Sequence, residues 1–290
     1  MIKIIEHKKI WFSISIIIIV IGFLFVSIRG LNIGIDFQGG TEITMNFGHE
    51  FDKADVDNII YKYNPDAITT TANNGTELDI KATNFSTEKT NEMIKEIEST
   101  FNLSSDALVS QNEIGPSIGQ QLTKGAIIAL SIAVICMLIY VAIRFEFAYG
   151  ISAIIALAHD ALITISIYAI FNIPVNTPFI AAILTVIGYS VNDTIVIFDR
   201  IRENRKKMKG ESFDSIANKS LSQTMSRSIN TTLTTLTTIV AMYIFVPSIR
   251  DFAFPLIIGI VSGGCSSIFI ATPVWCVIKN RKSAKKIKKA

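Results

Sequence analysis

Cysteine and histidine are scarce in this chain of 290 residues, which contains three of each. Cys136, Cys265 and Cys276 all lie in apolar runs, so a disulfide framework in the long polar segment after the first run is excluded. No spacing of cysteine and histidine is typical of a metal site, and we expect neither a metal nor a cofactor. The net charge of +3 is too small to indicate a protein that binds nucleic acid.

Long apolar runs are what the chain does contain. Half of its residues are hydrophobic, and several runs approach or exceed the roughly 18 residues that a membrane-crossing helix needs. The sequence therefore predicts a polytopic α-helical membrane protein with six transmembrane helices. The first lies within residues 1–28, and the other five form a bundle over residues 125–278, at about 125–143, 149–171, 179–198, 228–246 and 252–278.

The placement of basic residues predicts the orientation. The first apolar run is longer than the core of a signal peptide and lacks a small-x-small cleavage site, so we interpret it as an uncleaved span after a basic leader. Six spans place both termini on one side. With both termini inside, 19 of the 27 Lys and Arg residues lie in inner segments, including a basic tail at 279–290, which predicts cytoplasmic termini.

Residues 29–124 then form an exported, periplasmic domain between the first two spans. Ile43, Met45 and Phe47 alternate as in a half-buried strand. Two segments with one apolar helical face each, near 53–63 and 87–101, flank a pair of strands joined at Asn73-Asn74-Gly75, and a last strand closes at 107–114. The order βαββαβ predicts a ferredoxin-like fold, which by itself implies no function.

The fourth span carries an aspartate inside its apolar run. Thr185, Tyr189, Asn192 and Asp193 recur at spacings that place them on one helix face. A carboxylate in hydrocarbon costs several kcal/mol unless it finds a partner or water, so Asp193 is a functional candidate.

A polar stripe on the fifth span is the natural partner of that face. Arg227, Thr231, Thr234 or Thr235, and Thr238 follow at helical spacing. Together with Asp193 they form either a proton relay or a fixed ion pair with closely packed threonines. Asp160, beside His159 in the third span, either extends the relay or is simply hydrogen-bonded within the bundle.

Small residues mark two further places. Glycines around Gly34–Gly40 suit turns at a membrane exit. Gly259 and Gly263 form a G-x-x-x-G face on the sixth span, which we expect to pack either against the fourth span or against a partner subunit. Residues 200–227 are basic, and an apolar pattern over 211–227 predicts an amphipathic helix along the cytoplasmic leaflet.

Four stretches together resemble the SecF family: Gly34–Gly40, Ala156–Asp160, Tyr189–Arg200 and Ser226–Thr235. SecF is the smaller half of the SecDF accessory complex of the bacterial protein-export translocon, and it is related to proton-driven exporters of the resistance-nodulation-division type. The resemblance covers essentially the whole chain and implies an inner-membrane location. The positions in this chain that match the family's glycine motif are Gly34, Asp36, Gly39 and Gly40.

The resemblance implies a function as well. The chain would use the proton-motive force to promote export of preproteins through or out of the SecYEG channel, with a SecD-like subunit, SecYEG and the preprotein as partners. In the family, the aspartate and arginine that match Asp193 and Arg227 are assigned to proton transport. Asp160 extends this predicted relay, and Tyr189, Asn192, Thr231 and Thr235 form its supporting polar face.

Two other functions compete with this one. A self-sufficient proton-driven exporter of small molecules or lipids would use the same relay, although one exported domain of this size leaves little room for a substrate pocket. An intramembrane aspartyl protease would use Asp160 and Asp193 as a dyad that shares a proton. The Gly-x-Gly-Asp setting of such proteases is absent around Asp193, which follows Ser-Val-Asn, so we expect no enzyme.

Overall fold

The structure is a computed structural model that describes residues 3–83 and 85–287. Residues 1–2 of the predicted leader and 288–290 of the predicted tail lie outside the described residues. The chain divides into two compact units, a membrane unit (Met1–Asn32 and Ala129–Ala290) and a sheet unit (Ile33–Ile128).

Six helical segments of the described residues are long and apolar enough to cross a membrane, which confirms the predicted class of fold. We call them spans one to six: Ile5–Arg29, Pro116–Arg144, Phe147–Phe171, Thr177–Lys207, Phe213–Phe245 and Pro247–Ser283. Their helices are α1 (Lys8–Arg29), α5 (Pro116–Arg144), α6 (Phe147–Phe171), α7 (Thr177–Lys207) and α8 (Phe213–Phe245), with α9 (Arg250–Ser266) and α10 (Thr272–Ile287) in span six.

The sheet unit is a four-stranded antiparallel sheet with two helices. Its strand order is β2-β3-β1-β4, as the βαββαβ sequence pattern requires. The elements are α2 (Ile35–Gln38), β1 (Gly40–Asn46), α3 (Lys53–Tyr63), β2 (Ile68–Ala72), β3 (Glu77–Ala82), α4 (Thr87–Thr100) and β4 (Leu108–Ile114).

Caps and alternation explain why these elements form. The Asp52 carboxylate accepts from the Ala54 N–H at 2.9 Å and begins α3. Ile43 and Met45 on β1 point to one face of the sheet and are fully buried. The other face is polar, because Lys81 lies 2.7 Å from Glu42 across paired strands. Ile43 and Met45 pack in one buried cluster with Val56 and Ile60 of α3 and with Met93 and Ile97 of α4, so the two helices cover this face of the sheet.

Spans three, four and six form the centre of the membrane unit. They contain most of the buried residues, whereas spans one, two and five are largely exposed within this chain. Span one packs on span three at Gly22, where an added Cβ would lie 2.2 Å from the Ser166 Cβ. Trp275 of span six is fully buried and stacks on Tyr149 with ring centroids 5.2 Å apart.

The segment predicted as an amphipathic helix, residues 211–227, is helical from Phe213, but it is the beginning of α8 rather than a separate helix. The first part of the basic segment 200–227 continues α7 to Lys207. Two contacts explain this: the Asn204 amide donates to the Ser220 hydroxyl at 2.8 Å, and the Ser212 hydroxyl accepts the Ser215 N–H and caps α8. The two helix ends therefore pack on each other as a hairpin.

An ion cluster joins the ends of three spans near that hairpin. Glu146 lies between spans two and three and accepts from Lys279 at 2.8 Å and from Arg205 at 3.2 Å. These hydrogen bonds lower the pKa of Glu146 from 4.5 to about 2. A lowered carboxylate pKa stabilises the folded state above pH 4.5, and that contribution is lost as the pH falls toward 2.

Candidate functional site: two buried carboxylates in the membrane unit

Asp193 is buried on α7, with 7% of its surface exposed. Ser228 on α8 donates to its Oδ1 at 2.7 Å. Its Oδ2 has no hydrogen-bond partner among the described residues. Arg227 acts on this carboxylate through its charge, but within the described parts of the chain the two do not form an ion pair. One oxygen of a buried carboxylate is thus available for a proton or a water molecule.

Asp160 is buried on α6, at 1% exposure, and its surroundings are different. His159 contributes its Nδ1 at 3.1 Å from Oδ1. Three buried serine hydroxyls on spans four and six donate to the carboxylate: Ser190 at 2.6 Å, Ser262 at 2.7 Å and Ser266 at 2.8 Å. Four partners on two oxygens satisfy the hydrogen-bonding capacity of this buried carboxyl group, which explains how so polar a group is held in this interior.

His159 extends that cluster to span one. Its Nε2 lies 2.8 Å from the Ser15 hydroxyl. We call the set Ser15, His159, Asp160, Ser190, Ser262 and Ser266 the Asp160 cluster. Its members come from four spans, so these few hydrogen bonds tie spans one, three, four and six together.

The four residues of the predicted supporting polar face have other surroundings than Asp193. The Tyr189 hydroxyl bonds to Thr232 at 3.1 Å, and Asn192 is exposed on the outside of the bundle. The Thr231 and Thr235 hydroxyls donate to carbonyls of their own helix, at 2.8 Å and 2.9 Å. None of these four predicted residues hydrogen-bonds to the carboxylate among the described residues.

The serines that contact the carboxylates were not predicted from the sequence as partners of the carboxylates. Ser262 and Ser266 are four residues apart on span six, and Ser190 lies three residues before Asp193, so helical spacing was the available signal. A serine in an apolar run also fits close helix packing, which is why spacing alone does not identify it as a carboxylate partner.

The exposed side of span five is unusual for a membrane helix. Arg227, Asn230, Thr231, Thr234 and Thr238 are all exposed and follow at helical spacing. We call these five residues the span-five stripe. Polar groups of this kind are rarely left against lipid, because their transfer into hydrocarbon is unfavourable.

The predicted small-residue face of span six packs inside the chain. A Cβ added at Gly259 would lie 2.2 Å from Val186 Cγ2, and one at Gly263 would lie 3.0 Å from Ser190 Cβ. Both neighbours belong to span four. Of the two neighbours that the sequence left open, the structure places span four against this face.

The glycine motif lies in the sheet unit, where it connects α2, β1 and the beginning of α5. Gly34 caps α2, and Asp36 is in its first turn. Gly39 and Gly40 have φ of +77° and +146°, and a Cβ at Gly40 would lie 2.6 Å from the Ala82 carbonyl oxygen. Glycine is required at both positions by the backbone conformation.

A cavity of about 460 Å³ lies between spans one, three and six and borders the Asp160 cluster. It is lined mainly by apolar side chains, together with Ser15, His159, Ser262 and Ser266. A second cavity of about 300 Å³, between spans five and six, borders Ser228. Within the described residues there is no group of three or more His, Cys, Asp or Glu side chains that could hold a metal ion.

Comparison with known families places these features in context. The family described as "Protein export membrane protein SecD/SecF, C-terminal" matches residues 93–281, and the "SecD/SecF GG Motif" matches residues 24–49, which include Gly34–Gly40. The chain belongs to the SecD/SecF family. The resemblance deduced from the sequence motifs is thus confirmed.

Individual SecF and SecDF proteins show the extent of the similarity. The chain is 39% identical to the protein translocase subunit SecF of Alicyclobacillus acidocaldarius, over 97% of this chain and 94% of that protein. It is 36% identical to the SecDF subunit of Bacillus subtilis, over 97% of this chain but 38% of SecDF. These relatives are named translocase subunits rather than enzymes.

A solved structure shows the same arrangement. The crystal structure of SecDF from Thermus thermophilus, described as a translocon-associated membrane protein, matches with a TM-score of 0.87 and 30% identity. The match covers 96% of this chain and 39% of the SecDF chain. The protein is therefore a multi-pass protein of the bacterial inner membrane that corresponds in extent to the SecF part of SecDF.

Proposed function

We propose that this SecF-family chain uses the proton-motive force to promote export of preproteins through or out of the SecYEG channel, in a complex with a SecD-like subunit. The observation that carries the proposal is the Asp193 carboxylate, buried in a membrane-spanning helix with one oxygen unpartnered. Such a group can take up a proton and release it without first breaking a full set of hydrogen bonds.

The two carboxylates have different roles in this proposal. Asp193 is the proton carrier, and Arg227 supplies a positive charge that favours its ionised form. Asp160 supports the relay as a fixed polar group, because four partners already hold its carboxyl oxygens in place. The two aspartates accept from different serines and form no mutual hydrogen bond in the described chain, so the geometry gives no support to a protease dyad.

Export with and without a proton gradient tests the function. We expect vesicles that contain SecYEG, the SecD-like subunit and this chain to export a preprotein several-fold faster when a gradient is imposed. Vesicles without this chain should lose the gradient-dependent part of the export rate and keep the part that does not depend on the gradient. Equal gradient dependence in both preparations would contradict the proposal, and transport of a small molecule by the chain alone would favour the self-sufficient exporter.

We propose further that both termini are cytoplasmic and that the sheet unit is periplasmic. The support is the excess of Lys and Arg in the segments that this orientation places inside. A reporter inserted after Asn74 should then behave as exported, and one fused after Ala290 as cytoplasmic. The reverse labelling pattern would refute the orientation.

The SecD-like subunit is proposed to dock on the span-five stripe. The stripe is an exposed polar face of a span within this chain, and it includes Arg227 and Asn230 beside three threonines whose hydroxyls bond to their own helix. The glycine face of span six is already covered by span four. Thr234→Leu with Thr238→Leu should weaken co-purification of the partner several-fold, because leucines block close helix approach and remove hydroxyls. Ile244→Leu, on an apolar exposed position of the same helix, is the control. Undiminished co-purification in the double variant would place the interface elsewhere.

A further inference from the structure

Span six departs from regular α-helix between the two carboxylates. Residues Ser267–Ala271 form a π-helical turn between α9 and α10. Ser266 immediately precedes this turn and donates to Asp160 at 2.8 Å. Ser267 begins it and lies 2.9 Å from the Thr194 hydroxyl, one residue after Asp193. Two adjacent residues of one helix thus contact the surroundings of both carboxylates.

The wider turn is stabilised by a side chain. In a π turn the backbone hydrogen bonds change from i+4 to i+5 spacing. The Thr272 hydroxyl donates to the Ser267 carbonyl oxygen at 3.0 Å, and so supplies a partner where this change occurs. Ser266, Ser267 and Thr272 are all fully buried, so the irregularity is built into the packed interior of the membrane unit. Such turns occur frequently at functional sites.

One carbonyl oxygen is shared by the two serines. Gly263 accepts from Ser267 at 3.0 Å, and the Ser266 hydroxyl, which donates to Asp160 at 2.8 Å, lies 3.2 Å from the same carbonyl oxygen as an alternative acceptor. A serine hydroxyl has a single proton to donate. While Ser267 donates to Gly263, Thr194 must be the donor in the bond between Thr194 and Ser267. Ser267 also lies close enough to Asp193 to interact with its carboxylate, whose Oδ2 has no hydrogen-bond partner among the described residues.

We propose that Ser267 is a positioning residue for Asp193: its hydroxyl turns from the Gly263 carbonyl to the Asp193 carboxylate when Asp193 is ionised, and turns back when Asp193 is protonated. The inference rests on the proposed function, in which Asp193 gains and loses a proton. Ser266 responds to each change, because it shares the Gly263 carbonyl with Ser267 and also holds Asp160. The charge of Asp193 is in this way communicated to the Asp160 cluster and, through His159 and Ser15, to span one.

The other charged and titratable groups around these serines come from three spans. Arg227 of span five acts on Asp193 through its charge. Asp160 of span three accepts from Ser266, and His159 of the same span contacts Asp160. Cys265 of span six interacts with Asp160. Each of these groups is unchanged in Ser267→Ala, Ser267→Thr and the control Ser152→Ala, so a difference among these three variants reports on the hydroxyl at position 267.

Infrared difference spectroscopy tests the inference on the full chain, reconstituted with its SecD-like subunit in lipid vesicles. The carboxylate band of Asp193 is assigned by its loss in Asp193→Asn, and the pH is stepped. Ser267→Ala should shift this band and displace its pH midpoint by about one unit, the order expected for one hydrogen bond to a charged group. Ser267→Thr keeps the hydroxyl and should restore both. Ser152→Ala removes a buried hydroxyl that bonds to Ala148 of its own helix and is the matched control.

A second band tests the communication to span one. A histidine band, assigned by its loss in His159→Gln, should change together with the Asp193 band in the unaltered chain and no longer do so in Ser267→Ala. An Asp193 band and midpoint that are identical in Ser267→Ala and the unaltered chain would overturn the inference while leaving the proposed function intact. The absence of any titrating Asp193 band would contradict the proposed function, and the inference with it.

Discussion

Asp193→Asn is expected to abolish the gradient-dependent part of preprotein export while the chain remains in the membrane with its partner. Asparagine has nearly the same shape as aspartate and can still accept the hydrogen bond from Ser228, so the packing around position 193 is retained. It cannot gain or lose a proton. Export rates with and without an imposed gradient, normalised to the amount of complex, measure the effect, and we expect a loss of at least tenfold in the gradient-dependent rate.

A matched control lies six residues further along the same helix. Asp199→Asn makes the same chemical change at a half-exposed carboxylate that pairs with Arg144 at 2.9 Å. Ion pairs of this exposure contribute about 0–1 kcal/mol, so export should change less than twofold. A comparable loss in both variants would show that removal of any span-four carboxylate impairs the chain, and would remove the special role of Asp193.

A change at Arg227 distinguishes a proton-carrying Asp193 from an Asp193 that only forms a fixed charge pair with Arg227. If Asp193 and Arg227 only neutralised each other, the double variant Asp193→Asn with Arg227→Gln would recover much of what each single change loses. We expect no recovery, because one Asp193 oxygen is free and the two side chains form no ion pair within the described residues. Export near the unaltered level in the double variant would leave the pair with a structural role alone.

The carboxylates themselves were predictable from the sequence, but their surroundings were not. An aspartate in an apolar run is costly, which marks Asp160 and Asp193 without any structure. Their different roles depend on which serines reach them, and Ser190, Ser262 and Ser228 come from three helices that are distant in sequence. Helical spacing shows which residues share a face of one helix, but not which helix that face meets.

The ends of the helices show the same limit: local sequence predicts where a span lies, but contacts between helices decide where some helices begin and end. Apolar runs located all six spans, because hydrocarbon selects for apolar side chains whatever the neighbouring helices are. Residues 211–227 of the basic segment after span four were predicted as a separate amphipathic helix. The bond from Asn204 to Ser220 and the turn at Gly210 instead make it the paired ends of α7 and α8. The π turn in span six has no sequence signal of comparable strength.

Gly259→Val is expected to destabilise the membrane unit itself, before any effect on partner binding. The added Cβ alone would lie 2.2 Å from Val186 Cγ2, which is well inside van der Waals contact, and both residues are on packed central spans. Overpacking of this kind costs about 1–3 kcal/mol and often more where helices cannot separate. The thermal stability of the purified chain in detergent, measured without its partner, should fall by several degrees.

Gly188 and Val186 provide the control and the rescue. A Cβ at Gly188 on span four meets nothing within 4 Å, so Gly188→Val should leave the thermal transition within about one degree of the unaltered chain. Val186→Ala removes the two methyl groups closest to position 259, and combined with Gly259→Ala it should recover most of the stability that Gly259→Ala loses alone. If Gly259→Val instead left the isolated chain stable and only reduced co-purification of the SecD-like subunit, the glycine face would have to be the partner interface, and span four would not be its neighbour in the assembled complex.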